Sequence, residues 1–185
     1  MPRPPRNLTP GGIYHVTARG NRKQRIFLAD TDREVFIGLL ARIATQMKWQ
    51  CHAYCLMENH YHLVTQIPEP NLSVGLQLLN GRYAQLFNGR YALTGHVFQG
   101  RFHSVAVEDH GHLLELWRYL ALNPVRAGLC QHPEEWPWSS YRAVMGKSFT
   151  PSFLNVARVL ELCGPSPERG RENLRQFISN PRASL

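Results

Sequence analysis

His60-Tyr61-His62 is the first arrangement in this chain whose spacing fits a chemical task. In a strand, alternate side chains share a face, so both imidazoles project to one side, about 6.5–7 Å apart along the backbone. That reach suits two ligands of one metal ion. The same triplet on a solvated strand face would be two polar side chains and nothing more, and nine histidines make chance pairs common. His110/His112 repeats the spacing at an expected helix start, where the two rings fall on different sides.

A second group lies downstream, where Glu115, Tyr119 and Asn123 are spaced four apart and so share one stripe of a helix. A tyrosine beside a buried stripe is ordinarily a packing residue with its hydroxyl in water. Tyr119 and Asn123 can also address one point in space, as a nucleophile beside a third metal ligand. A phenol with a pKa near 10 is a poor nucleophile at neutral pH unless something activates it. An ion held by two neutral imidazoles and an amide oxygen keeps open positions for phosphate oxygens, polarises phosphorus and stabilises the developing charge. Imidazole nitrogen tolerates manganese or zinc, whereas oxygen ligands suit magnesium or manganese, so Mg²⁺ or Mn²⁺ is expected. Attack by tyrosine conserves the broken bond as a phosphotyrosine ester that a free 3′-OH can later attack. Attack by water would give hydrolysis.

The elements that must position these residues can be read from periodicity. Ile13 to Ala18 alternates as a strand, with Ile13, His15 and Thr17 on one face. Thr31 or Asp32 can cap a helix over 33–48. Strands follow at about 50–57 and 60–67, joined by Glu58-Asn59. A second helix spans about 73–87 with Leu76, Leu79, Tyr83 and Leu86 on its apolar face, and 89–100 reads as an exposed loop. A fourth strand is expected at 102–107. A third helix follows Asp109 as N-cap, buries Leu113, Leu116, Trp117 and Leu120, and ends near Asn123 because Pro124 disfavours helical geometry before it. The order β-α-β-β-α-β predicts an α+β, ferredoxin-like antiparallel sheet with two helices on one face and the additional, catalytic helix beyond it. Residues 1–145 are expected to form one domain. Residues 146–185 read as a C-terminal helical tail, with helices near 155–162 and 171–178.

The chain is 43% hydrophobic and 18% charged, which excludes a disordered or collagen-like protein. No apolar run approaches the roughly 20 residues needed to span a bilayer. The Met1–Pro10 start carries two arginines and several prolines without an apolar stretch, so it does not read as a signal peptide, and a cytoplasmic, nucleoid-associated protein is expected. Of the four cysteines only Cys51 and Cys55 are close, too few for a zinc ribbon, and ordinary buried thiols explain them. The net charge of +8 is uneven: residues 1–29 hold Arg3, Arg6, Arg19, Arg22, Lys23 and Arg25 and no acid. One-signed fields attract polyanions, although solubility alone can explain a basic surface.

At these residues the chain resembles the HUH superfamily of single-tyrosine transposases, specifically its REP-associated branch. Four ordered blocks carry the resemblance: YHVTARGNRKQRIF (14–27), LMENHYHLV (56–64), GHVFQGRFHS (95–104) and RYLALNPVRAGL (118–129), followed by WPWSSYRA (136–143). The resemblance implies His60 and His62 as paired metal ligands, Tyr119 as nucleophile and Asn123 as third ligand. It implies cutting and rejoining of single-stranded DNA beside imperfect hairpins, through a 5′-phosphotyrosine and a free 3′-OH. Relatives often have proline where Glu58 stands, which predicts only a different turn. Either a monomer or a homodimer that donates tyrosine in trans fits the family. Arg19, Arg22, Lys23, Arg101 and Arg126 are candidate DNA contacts, with Tyr91, Phe98 and Phe102 able to stack or to pack in the core; Arg126 could equally bond the last carbonyls of its helix. Two other functions fit less well: a hairpin-binding protein of the same fold without catalysis, and a phosphodiesterase with water as nucleophile.

Overall fold

A computed structural model describes residues 7–180, so Arg3 and Arg6 of the proline-rich start lie outside the described residues. Strand β1 (Ile13–Arg19) leads through a 3-10 turn (Asn21–Lys23) to α1 (Asp30–Met47). Strands β2 (Gln50–Leu56) and β3 (His60–Gln66), helix α2 (Leu72–Tyr91) and β4 (His103–Ala106) follow. Helix α3 (His110–Arg126), a short α4 (Tyr141–Val144), α5 (Val156–Cys163) and α6 (Pro167–Ser179) complete the chain. The four strands lie in the order β2-β3-β1-β4, every neighbouring pair antiparallel. That is the expected ferredoxin-like sheet, with β1 and β3 as its central strands.

Alternation along β1 divides the sheet into two chemistries. Tyr14, Val16 and Ala18 are buried, while His15 and Thr17 are half-buried on the other side. The buried face packs under α1 and α2 through an aromatic cluster. Phe36 stands 4.7 Å from Tyr61 and 5.2 Å from Tyr83 between ring centroids, and Phe27 and Phe98 flank them. The Tyr61 hydroxyl donates to Asn80 of α2 at 2.8 Å, so this large ring is buried with its polar tip satisfied. Helix α3 lies over β2 and meets α6.

Several boundaries differ from expectation. Helix α1 begins at Asp30, because Asp32 does not stand outside the helix as its cap. It sits in the first turn, accepting from the Leu28 and Ala29 amides at 2.9 and 3.0 Å. The same carboxylate receives the Tyr91 hydroxyl and Arg90, which carries α2 through Tyr91 and shortens the expected loop. The buried stripe of α2 is Leu72, Leu76, Leu79, Tyr83 and Phe87, so Leu86, one position out of phase, is exposed. In α3, Leu114 and Ala121 join Leu113, Trp117 and Leu120 in the core, and Leu116 is only partly buried. Pro124 does not end that helix. In the last turn it removes a single backbone donor, and the Ala127 amide still bonds the Asn123 carbonyl at 3.0 Å.

The segment after residue 145 is packed against the rest. Arg118, buried in α3, donates from Nε to the Phe177 carbonyl of α6 at 3.0 Å and from Nη1 to Glu115 at 3.1 Å, with its guanidinium 3.5 Å above the Phe177 ring. One buried cation thereby ties α6 to the residue next to Tyr119. Replacing it strands a buried carbonyl and removes a cation–π contact. Arg118→Met is therefore expected to lower stability by about 2–4 kcal/mol, read as a shift of the urea unfolding curve. An unchanged curve would show that α6 is held by apolar packing alone.

Candidate active site

The register of β3 on β1 builds one wall of the site. His62 lies opposite Thr17, and His60 opposite Arg19, so both imidazoles share a face with His15, Thr17 and Arg19. Helix α3 crosses the same face, capped by the Asp109 carboxylate, which accepts from the His112 amide at 2.8 Å. The result is a cleft of about 640 Å³ lined by His15, Thr17, Arg19, His60, His62, His103, Leu116 and Tyr119.

His60, His62 and Tyr119 line it together, and Asn123 joins them through His62. The Tyr119 and His62 ring centroids are 5.5 Å apart, edge to face, and the His60 and His62 centroids are 4.9 Å apart. Tyr119 is 39% exposed, enough for its hydroxyl to meet a substrate. The Asn123 carboxamide reaches His62 Nε2 through Nδ2 at 3.0 Å. Glu115, on the same helical stripe, turns instead to Arg118.

The site favours neutral imidazoles. Burial pushes the His62 imidazolium down to about 3, with the His60 and His15 charges as lesser causes. Burial likewise takes His60 down to about 4, helped by the Arg19 guanidinium, and His15 to about 4, helped by His103 and His112. At neutral pH all three rings carry lone pairs, the form that binds metal. No group of three His, Cys, Asp or Glu side chains among the described residues could hold an ion. The donor set present is two imidazoles and one carboxamide. A half-turn of the Asn123 amide brings its oxygen to the atom that faces His62. Neighbouring ligands about 2.0–2.1 Å from an octahedral ion stand close to the separation seen between these two groups. The residues fit a divalent cation that completes its shell with phosphate or water.

The basic candidates divide. Arg19 lines the cleft, with Arg22 and Lys23 in the exposed turn that follows it. Arg22 and Lys23 both adopt left-handed backbone, φ 52° and 61°. Gly20 must precede them, because a Cβ there would sit 2.1 Å from the Gln24 carbonyl oxygen. This turn is stitched to the β2–β3 corner: the Gly20 amide donates to the Asn59 carbonyl at 2.8 Å, and Asn59 Nδ2 to the Lys23 carbonyl at 3.0 Å. The Glu58 carbonyl accepts from the Ile26 amide at 2.9 Å, and its side chain pairs with Arg25. Arg101 and Arg126 are exposed but do not line the cleft, and Arg101 instead borders a separate groove beside α2. Phe98 and Phe102 are buried, and Tyr91 gives its hydroxyl to Asp32, so these aromatics serve the fold.

His15, Thr17, His103 and Leu116 are the cleft residues that spacing arguments missed. The alternation of β1 had placed His15 and Thr17 on one face, but only the β1–β3 register joins that face to His60 and His62.

Comparison with known proteins identifies a family and a fold. The family model described as transposase IS200 like matches residues 10–123. A Haemophilus influenzae protein, provisionally named a REP-associated tyrosine transposase, is 26% identical over 148 residues, covering 74% of this chain and 83% of that one. The solved structure of a REP-associated tyrosine transposase bound to a REP hairpin superposes with a TM-score of 0.67 at 18% identity, over 82% of this chain and 89% of that chain. At that identity the likeness is one of fold.

The buried imidazoles predict an acid-sensitive fold. An unfolded histidine titrates near 6.5, whereas His15, His60 and His62 in the metal-free protein titrate at about 4, 4 and 3. Between those limits the unfolded chain binds protons that the native chain refuses. The stabilising contribution is thus complete above about pH 6.5 and lost as pH falls through about 4 to 3. The urea midpoint of metal-free protein should be lower at pH 5 than at pH 7.5, and less so in a His60→Asn/His62→Gln variant. Identical slopes in the two proteins would remove the assignment.

Proposed function

The chain belongs to the family of IS200-like transposases, and on that premise we propose that it is a metal-dependent single-stranded DNA endonuclease and strand transferase that cuts beside hairpins. Tyr119 is the nucleophile, and His60, His62 and Asn123 hold the cation. The single observation that supports this reading most is the meeting of a half-exposed phenol and two neutral imidazoles in one cleft, with a carboxamide 3.0 Å from one of the rings.

When bound, Mg²⁺ or Mn²⁺ would supply Lewis acidity toward the non-bridging oxygens of a phosphodiester. Tyr119 Oη attacks phosphorus and forms a P–O bond, the bond to the 3′ oxygen breaks, and that oxygen leaves as a 3′-OH with the proton the phenol gives up. The 5′ phosphate stays on Tyr119 as an ester, and attack by a 3′-OH reverses the exchange and restores the tyrosine. Arg19, with Arg22 and Lys23, gives the DNA backbone positive charge at the edge of the cleft, while Arg101 and Arg126 are more distant contacts. The hairpin-bound fold relative supports a folded single strand as substrate.

Because phenol and imidazoles meet within one chain, a monomer is sufficient for cleavage, and a homodimer is not required to complete the site. Residues 1–145 are the unit to which the reaction is assigned, and α6 braces α3 through Arg118. No helix among the described residues is long and apolar enough to cross a membrane. A DNA substrate of this kind puts the protein with the nucleoid in the cytoplasm.

The test is incubation with end-labelled single-stranded hairpin DNA from the flanks of its own gene, with Mg²⁺ or Mn²⁺, followed by a denaturing gel. Wild type should give a protein–DNA adduct, Tyr119→Phe none, and His60→Ala or His62→Ala a rate lower by on the order of 100-fold or more. Retarded DNA with no cut at any metal concentration would instead mark a hairpin-binding protein, and cutting by Tyr119→Phe a phosphodiesterase that uses water.

A further inference from the structure

Two questions about the imidazoles are left open by their convergence: which nitrogen of each ring carries the proton, and what decides it. We infer that His15 and Thr17 are positioning residues that hold the His62 proton on Nδ1, and that Asn59 does the same for His60. Both Nε2 lone pairs then face the cleft. The inference rests on the reading of His60 and His62 as metal ligands.

The case for Asn59 is closed by its second contact. Its Nδ2 donates to the Lys23 carbonyl at 3.0 Å, and a carbonyl accepts only, which fixes the amide so that Oδ1 is the atom 2.7 Å from His60 Nδ1. An amide oxygen accepts only as well, so His60 Nδ1 must donate and Nε2 must keep the lone pair. The basic turn and the imidazole are thus linked through one side chain.

For His62 the partner is another imidazole. Its Nδ1 lies 2.9 Å from His15 Nε2 and 3.2 Å from Thr17 Oγ1. The ring planes of His15 and His62 are within 18° of parallel, and their centroids are 5.2 Å apart. That separation exceeds the nitrogen–nitrogen distance by about two ring radii, so the rings meet edge to edge along the line of the lone pairs. A proton on His62 Nδ1 is then aimed at His15 Nε2. The alternative form would put the proton on His62 Nε2, toward Asn123, with Nδ1 accepting from a His15 Nε2–H or the Thr17 hydroxyl; an Nε2 that binds metal requires the first form. Asn123, 3.0 Å from His62 Nε2, can donate through Nδ2 to the lone pair of the Nδ1–H form, or turn its oxygen toward a cation shared with that nitrogen. Partners of this kind orient metal-binding histidines and set their basicity, and losing one costs roughly 10–100-fold in metal affinity. Here the partners are neutral, so they set the tautomer without adding negative charge to the site.

Long-range proton–nitrogen correlation spectra of ¹⁵N-histidine-labelled, metal-free protein at pH 7.5 read the tautomer of each ring directly. In wild type both His60 and His62 should be protonated on Nδ1; a ring protonated on Nε2 overturns the inference for that ring, and this measurement needs no variant. In His15→Ala/Thr17→Val the His62 proton should move toward Nε2, and in Asn59→Ala the His60 proton should do so. Asn59→Asp, which keeps an accepting oxygen, should hold His60 in the Nδ1–H form. Mn²⁺ affinity, titrated by electron paramagnetic resonance, should fall about 10–100-fold in both alanine variants. Unmoved tautomers in folded variants would show that the neighbours merely pack. None of these readouts involves DNA, so a wild type that makes no adduct counts against the proposed reaction and leaves the tautomer result standing.

Discussion

Two histidines at alternate positions of a strand always share a face, but the register with the neighbouring strand decides which face that is and which residues they meet. Thr17 opposite His62 and Arg19 opposite His60 is the pairing on which the rest of the site depends. A slip of one residue would carry both imidazoles to the face where Tyr61 and Leu63 now pack under α1 and α2. The aromatic cluster resists that slip, since Tyr61 fills a buried space against Phe36 and bonds Asn80. Apolar burial on one side of β3 therefore sets the geometry of polar groups on the other. Central position in the sheet adds to this, because β3 is paired on both edges.

The register also explains why the cleft is electrostatically quiet at its centre and positive at its rim. Burial keeps the three rings neutral, helped by neighbouring imidazoles at His62 and His15 and by the Arg19 guanidinium at His60, while Arg19 itself stays exposed. A positive rim of this kind attracts polyanions, and neutral rings inside keep their lone pairs free. Helix α3 supplies the other half from a different part of the chain. Its placement owes much to the Arg118 fork, which anchors it one residue before the phenol.

Much of this was legible in the sequence, and the failures share a cause. The four strands, the helix order and the face of each strand follow from local periodicity, and so does the shared stripe of Tyr119 and Asn123. What periodicity cannot express is which distant partner a residue meets. Asp32 looked like an outside cap, because its bonds to Tyr91 and Arg90 are formed across the fold. His15 looked like one polar residue in an alternating strand, because the pairing that brings it to His62 spans 47 positions of sequence. Leu86 and Leu116 were misplaced by a single step around their helices, where a stripe read from residue types alone is a little too wide. Pro124 points to a helix end because it disfavours helical geometry in the residue before it, a local bias that α3 overrides by running on to Arg126.

The turn after β1 has a consequence for how the chain can vary. Arg22 and Lys23 hold a backbone shape that glycine adopts freely and that costs a side-chain-bearing residue on the order of 1 kcal/mol. Glycine at either place would relax the loop and delete a cation. The conformational optimum and the charged rim thus pull against each other at two consecutive positions. A library selected only for thermal tolerance should drift there toward small, uncharged residues, trading grip on polyanions for a quieter main chain.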